Sequence, residues 1–163
     1  MSKLVCNTSP LQYLHQLELL SLLRDLAEEV LVPEAVVAEL EAGSAMGVNV
    51  PRVEDVGWLS VQRPKSLSVL PLVTDLGKGE IEVLALTLEK PGHVSVLDDK
   101  LARNFAQALG IPFTGTLGLL LDAKRSQRIE AVSPVIDKLK ALGFRVSSST
   151  VQTMLRLADE IET

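Results

Sequence analysis

Acidic side chains recur in this chain where a short apolar run gives way to a helical pattern. Glu39 lies on the helix pattern that follows Val30-Leu31-Val32-Pro33. Glu80 and Glu82 open another at Gly77-Lys78-Gly79, and Asp98-Asp99 close the run Val94-Ser95-Val96-Leu97. The first run, Leu4-Val5-Cys6, is followed by Asn7-Thr8-Ser9-Pro10. In an open parallel α/β sheet the carboxyl ends of the strands share one edge, and ligands bind in the crevice there. Acids distant in sequence would meet in one cleft and repel each other unless cations neutralise them. The pattern therefore predicts a divalent-metal site. Oxygen-only ligands suit Mg²⁺ or Mn²⁺ over softer metals. One ion lowers the pKa of a bound water, and a second, ~4 Å away, stabilises the leaving oxygen of a phosphodiester.

Each acid taken alone has a plainer explanation. Glu39 suits a solvated helix face, Glu80 and Glu82 complement a helix N-terminal dipole, and Asp98 suits the cap of the next helix. Four such coincidences in this order are harder to accept than one cation site.

The elements needed to position these acids are legible as alternating strand and helix patterns, which favour a parallel sheet covered by helices. The fold expected is α/β, a three-layer α/β/α sandwich around a central, mostly parallel sheet of four to five strands. Ser9 is expected to cap a helix with Pro10 in its first turn, and Leu11, Leu14, Leu17, Leu20 and Leu23 continue in one or two short helices. Residues 29–32 read as a strand, and Pro33 starts a helix with the stripe Val36, Val37, Leu40. Residues 43–51 read as a loop or weak helix, 58–61 as an edge strand and 66–73 as an ambiguous connector. Ile81, Leu84, Ala85 and Leu88 form an apolar helix face, with Glu80 and Glu82 flanking it on opposite sides, so one of them can face the cleft. A strand over 94–97, a helix over 99–109 and a short strand over 111–113 follow. A helix opening at Thr114-Gly115-Thr116 with a threonine cap comes next, then helices near 133–142 and 149–161, with Phe144-Arg145-Val146 as a last strand. Neither a repeat nor a linker interrupts residues 1–163, so one domain is expected.

The 163 residues are 47% hydrophobic, with a mean hydropathy of +0.26, which excludes a disordered chain. No apolar run approaches the ~18 residues of a membrane span, and no secretory leader is evident. A single cysteine, Cys6, excludes an internal disulfide and fits a cytoplasmic setting. It lies in an apolar run, where a buried inert thiol is expected. With one cysteine and two histidines, a structural zinc site is excluded. The net charge is −5, yet residues 98–145 hold eight basic residues against five acidic. The basic ones are Lys100, Arg103, Lys124, Arg125, Arg128, Lys138, Lys140 and Arg145. Basic side chains beside an acidic metal cleft suit a phosphate-backbone substrate. Aromatics are only 3%, so base-stacking platforms are scarce.

In order, Asn-Thr-Ser-Pro-Leu (7–11), Val-Pro-Glu-Ala-Val-Val-Ala-Glu-Leu (32–40), Leu-Gly-Lys-Gly-Glu-Ile-Glu-Val-Leu-Ala-Leu (76–86), Leu-Asp-Asp-Lys-Leu-Ala-Arg (97–103) and Thr-Gly-Thr-Leu-Gly-Leu-Leu-Leu-Asp-Ala-Lys-Arg (114–125) make the chain resemble the PIN domain family. That is the fold of many small metal-dependent ribonucleases, including the toxins of toxin–antitoxin pairs. More narrowly the chain resembles a PIN-like branch that opens with Asn-Thr-Ser-Pro. The resemblance implies that Asn7 stands where the first strand normally ends in a metal-ligating Asp. It makes Glu39 the second acid, Glu82 the third with Glu80 a close rival, Asp98 the fourth and Asp99 a neighbouring fifth. Glu39 and Asp98 would anchor the metal, while Glu82 or Asp99 completes its shell or orients the attacking water. Thr8 and Ser9 match the hydroxyl residues beside the first position, Thr116 lies on the same edge, and Lys100 and Arg103 are expected beside the substrate.

The function implied is a Mg²⁺- or Mn²⁺-dependent endoribonuclease using one or two ions, toxin-like, with an antitoxin whose Arg or Lys enters the cleft. A homodimer is implied by the same resemblance, with the leucines of 11–23 and the stretch 44–72 as candidate surface, unless those leucines are ordinary core. Asn7 supports an alternative, a catalytically weak PIN fold that binds RNA or protein, because an amide brings neither charge nor a base. A phosphoacceptor domain fits less well, since receiver domains place their acidic pair near the first strand.

Overall fold

Three consecutive residues of the first strand, Leu4, Val5 and Cys6, are buried, and so are Val30, Leu31 and Val32 of the second. Side chains alternate between faces along a strand, so a continuous buried run means that both faces of the sheet are covered. A computed structural model of the protein, describing residues 2–67 and 75–162, shows how. Five strands, β1 (Ser2–Cys6), β2 (Ala27–Pro33), β3 (Leu59–Gln62), β4 (His93–Val96) and β5 (Phe113–Thr114), form one sheet in the order β3-β2-β1-β4-β5. Every pairing is parallel. Among the described residues eight α-helices pack around it: α1 (Thr8–Gln16), α2 (Ser21–Leu26), α3 (Glu34–Ala45), α4 (Lys78–Glu89), α5 (Lys100–Ala108), α6 (Thr116–Arg125), α7 (Ser133–Ala141) and α8 (Ser148–Leu157). The sheet and helices make the expected α/β sandwich.

Several local expectations shift. The first helix begins at Thr8 with Asn7 in the cap position, not Ser9, which leaves both hydroxyls of Thr8 and Ser9 in its first turn. Gly115, not a threonine, caps α6, because Thr116 is spent on another bond described below. Asp99, one residue beyond Asp98, caps α5 by accepting from Ala102 N at 2.9 Å. Phe144-Arg145-Val146 is not a strand; the sheet already ends at β5, and the segment joins α7 to α8. Residues 68–73 of the expected connector lie outside the described residues. Leu11, Leu14, Leu22 and Leu23 belong to the core, so they are not the dimer surface considered from sequence. No helix among the described residues is long and apolar enough to cross a membrane.

The C-terminal acids have a structural use. Val132, ahead of α7, offers no side-chain cap. Glu160 supplies one instead, accepting from Val132 N at 2.7 Å and Ser133 N at 2.9 Å while Lys124 Nζ sits 3.1 Å away. A carboxylate at a helix N-terminus satisfies orphan N–H groups and complements the dipole. These two backbone bonds and Lys124 hold the Glu160 carboxyl below the ordinary glutamate range, against the opposing effect of its burial. A depressed carboxylate pKa stabilises the fold above the unfolded pKa of about 4.3 and ceases to do so as pH falls through the folded value. Glu160→Gln is therefore expected to lose roughly 1–3 kcal/mol at pH 7. Urea titration should show this gap closing as pH is lowered below the ordinary glutamate range.

Candidate active site

The strand order places a reversal at the centre of the sheet: β1 leads outward to β2 and β3, and the chain returns to add β4 on its other side. Crevices at such switch points hold ligands in open parallel sheets. Register sets what lines this one. Cys6 pairs with Val96, and Val96 with Thr114. Beyond them Asn7 N donates to Val96 O at 3.1 Å and Leu97 N to Thr114 O at 2.8 Å. Asn7, Asp98 and Gly115-Thr116 thus leave the sheet side by side.

Asp98 is held from two directions. Its Oδ1 accepts from Thr116 N at 2.8 Å, and its Oδ2 accepts from Thr116 Oγ1 at 2.6 Å and Ser9 Oγ at 3.3 Å. Thr116 is 0% exposed, so this support is shielded from water. Glu39 is held in the same manner. Thr8 Oγ1 donates to its Oε1, and Gly79 N donates to Oε2 at 3.2 Å. Two adjacent hydroxyls in the first turn of α1 therefore fix two carboxylates from opposite halves of the chain. The N-terminal turns of α4 and α6 supply the backbone donors, the helix ends that favour anions.

Close approach requires two glycines that sequence reasoning did not single out. A Cβ at position 79 would stand 2.5 Å from Glu39 Oε1, and one at position 115 would stand 2.9 Å from Asp98 Oδ1. The signal was present in Gly77-Lys78-Gly79 and Thr114-Gly115-Thr116, where Gly79 is itself the backbone donor and Gly115 the cap residue of a helix.

The remaining acids divide. Glu80 is half-buried, and its carboxyl titrates above the ordinary range because burial disfavours its charge and the nearby Asp99 and Glu39 repel it, against one opposing bond from the Gly77 backbone. Glu80 therefore shares the field of the crevice. Glu82, expected as the third acid with Glu80 as rival, is 6% exposed and accepts from Ala35 N at 3.0 Å. It meets the N-terminal turn of α3, the helix that carries Glu39, because the register of α4 turns it there when Glu80 faces the crevice. Asp99 has one oxygen on the α5 cap and is otherwise exposed. Lys100 and Arg103 line a groove that opens from Asp98, and the Arg103 guanidinium lies 5.1 Å from the Phe113 ring centroid. Cys6 lies fully buried below the edge, its thiol pushed up strongly by burial and by the field of Asp98, so it stays protonated.

Whether this set suits a hard cation turns on Asn7. Its side chain is 5% exposed, and its Oδ1 has no hydrogen-bond partner among the described residues. A buried oxygen without a donor is costly, and a cation would satisfy it. The donors around it are amide, carboxylate and hydroxyl oxygens, the chemistry of Mg²⁺ or Mn²⁺. Among the described residues no three His, Cys, Asp or Glu side chains stand together as a ready metal cluster. An amide occupies position 7, and the Glu82 carboxylate is turned to the Ala35 N–H of α3. By its chemistry the set of Asn7, Glu39 and Asp98 suits a hard ion.

A family model described as a PIN domain matches residues 3–160, almost the whole chain. Among curated proteins nothing matches it.

Glu80 and Glu82 should respond oppositely to neutralisation. Glu82→Ala leaves the Ala35 N–H buried without a partner and is expected to cost about 1–3 kcal/mol. Glu80→Gln removes a repelled charge and should leave stability at pH 7 unchanged or raised. Chemical denaturation of both variants checks the division, and equal losses would contradict it.

Proposed function

The chain belongs to the PIN domain family, and from that premise we propose that it is a divalent-cation-dependent ribonuclease hydrolysing RNA phosphodiesters at the edge formed by Asn7, Glu39 and Asp98. The observation that carries this reading is the buried, partnerless Asn7 Oδ1 beside Asp98, on the same edge as Glu39, with both carboxylates held by hydroxyl and backbone donors. Asn7, Glu39 and Asp98 are assigned as oxygen donors to Mg²⁺ or Mn²⁺, with Glu80 and Asp99 beside them. When bound, such an ion acidifies water and offsets charge on the phosphate.

The chain's own residues do the rest. Thr8, Ser9 and Thr116 hold the two anchoring carboxylates in place before substrate arrives, which lowers the reorganisation needed for reaction. Glu80, half-buried at the same edge, is assigned to general acid–base work. Lys100 and Arg103 attract the RNA backbone toward Asp98. The toxin-like part of the reading follows from the same charges. Neither Glu39 nor Asp98 has an ion-pair partner among the described residues, so an inhibitory protein inserting an Arg or Lys would find both available.

Asn7 favours a second reading, in which RNA is bound but not cut. An amide contributes no charge, and hard dications prefer anionic oxygen. Cleavage of a mixed single-stranded RNA pool with Mn²⁺ or Mg²⁺ separates the two. The nuclease reading expects cutting that EDTA stops and that Asp98→Asn slows about a hundredfold or more. A wild type that does not cut, with cutting gained in Asn7→Asp, would establish the second reading instead.

A further inference from the structure

The groove that opens from Asp98 encloses about 750 Å³ between α5, α6 and the segment leading into α8. Its charge departs from that of the molecule. Against a net charge of −5, it is lined by Lys100, Arg103 and Arg145, with Asp98 as its one carboxylate among the described residues. None of these three cations has an ion-pair partner among the described residues. Asn104 and Gln107, three residues apart on α5, also face it, and neither amide makes a described hydrogen bond. Phe113 and Phe144 supply apolar surface, and the Arg103 guanidinium lies over the Phe113 ring.

We propose that this groove binds the single-stranded RNA nucleotides flanking the phosphate cut at Asp98, with Arg145 holding a backbone phosphate and Asn104 and Gln107 contacting base edges. The inference rests on the nuclease reading, because it takes Asp98 as the point of cleavage. The groove's chemistry supports each part. Unpaired cations supply the sequence-independent attraction to phosphate. Amide side chains offer donors and acceptors that discriminate bases. Aromatic rings and guanidinium planes stack on unpaired bases, whereas an A-form duplex presents stacked bases and is recognised through its backbone. The volume lies within the range of small-ligand pockets, room for one or two nucleotides.

Arg145 is far in sequence from the acids, so it tests the groove apart from the cleavage centre. Binding of a labelled single-stranded RNA decamer pool, followed by fluorescence anisotropy with EDTA to prevent cleavage, is the measurement. Arg145→Glu is expected to weaken binding about tenfold or more and to reduce the slope of log K against log salt by about one. An Asn104→Ala/Gln107→Ala variant should keep the salt slope but flatten preferences among homopolymeric RNAs. Duplex RNA of the same length should bind more weakly than the single strand. Circular dichroism confirms that each variant is folded. If the wild type cuts RNA with metal present but all the groove variants bind like it, or duplex binds as tightly, the groove inference falls and the nuclease reading stands. A wild type that neither binds nor cuts RNA overturns both.

Discussion

Carboxylates delivered to one edge of a parallel sheet repel each other, and the surroundings of that edge are arranged as a source of hydrogen-bond donors. Thr8 and Ser9, adjacent in α1, each hold a different acid; Gly79 N and Thr116 N hold the same two from behind. The starts of α1, α4 and α6 must therefore converge on a few ångströms of space. That convergence explains why glycine stands at 79 and 115, where a methyl group would occupy the volume of a carboxylate oxygen. It also explains why Thr116, and no larger residue, is buried at the start of α6.

Acidic residues in this chain fall into two populations with different physical consequences. Glu82, Asp99 and Glu160 each accept from backbone N–H groups at a helix N-terminus and so define where α3, α5 and α7 begin. Glu39 and Asp98 are held at the crevice by hydroxyl and backbone donors, and Glu80 is half-buried there, its pKa raised first by burial and then by Asp99 and Glu39. The first population stabilises the elements that carry the second. Glu82 is the clearest link, because its carboxylate steadies the helix from which Glu39 projects.

The alternating pattern of strands and helices was legible in sequence because buried parallel strands are short apolar runs and each is followed by a periodic helix. The edge itself was legible too, since the residue after each strand is placed by topology. What could not be read was rotation. Glu80 and Glu82 flank the same apolar face, and only the packing of α4 against α3 decides which turns toward the crevice. Asp98 and Asp99 pose the same problem one residue apart, resolved by which carboxylate reaches Ala102 N. The Phe144-Arg145-Val146 segment has strand-like composition, but no open sheet edge lies beside it to pair with. The groove was half visible as a run of basic residues between 98 and 145, but which of them share one surface depends on where the segment between α7 and α8 runs.

The strand order also governs when the crevice can exist during folding. Asn7 and Glu39 belong to the half built from β1, β2 and β3, whereas Asp98 and Thr116 belong to the half built from β4 and β5. Within the sheet the two halves meet at the pairing of β1 with β4, in which Lys3 lies beside His93. Contacts of such long sequence separation form late, after the loop-closure entropy has been overcome. A chain emerging from the ribosome carries its first acid and both hydroxyls long before the strand that completes the set. For a protein read as a nuclease, synthesis and competence are thereby separated in time by the topology itself.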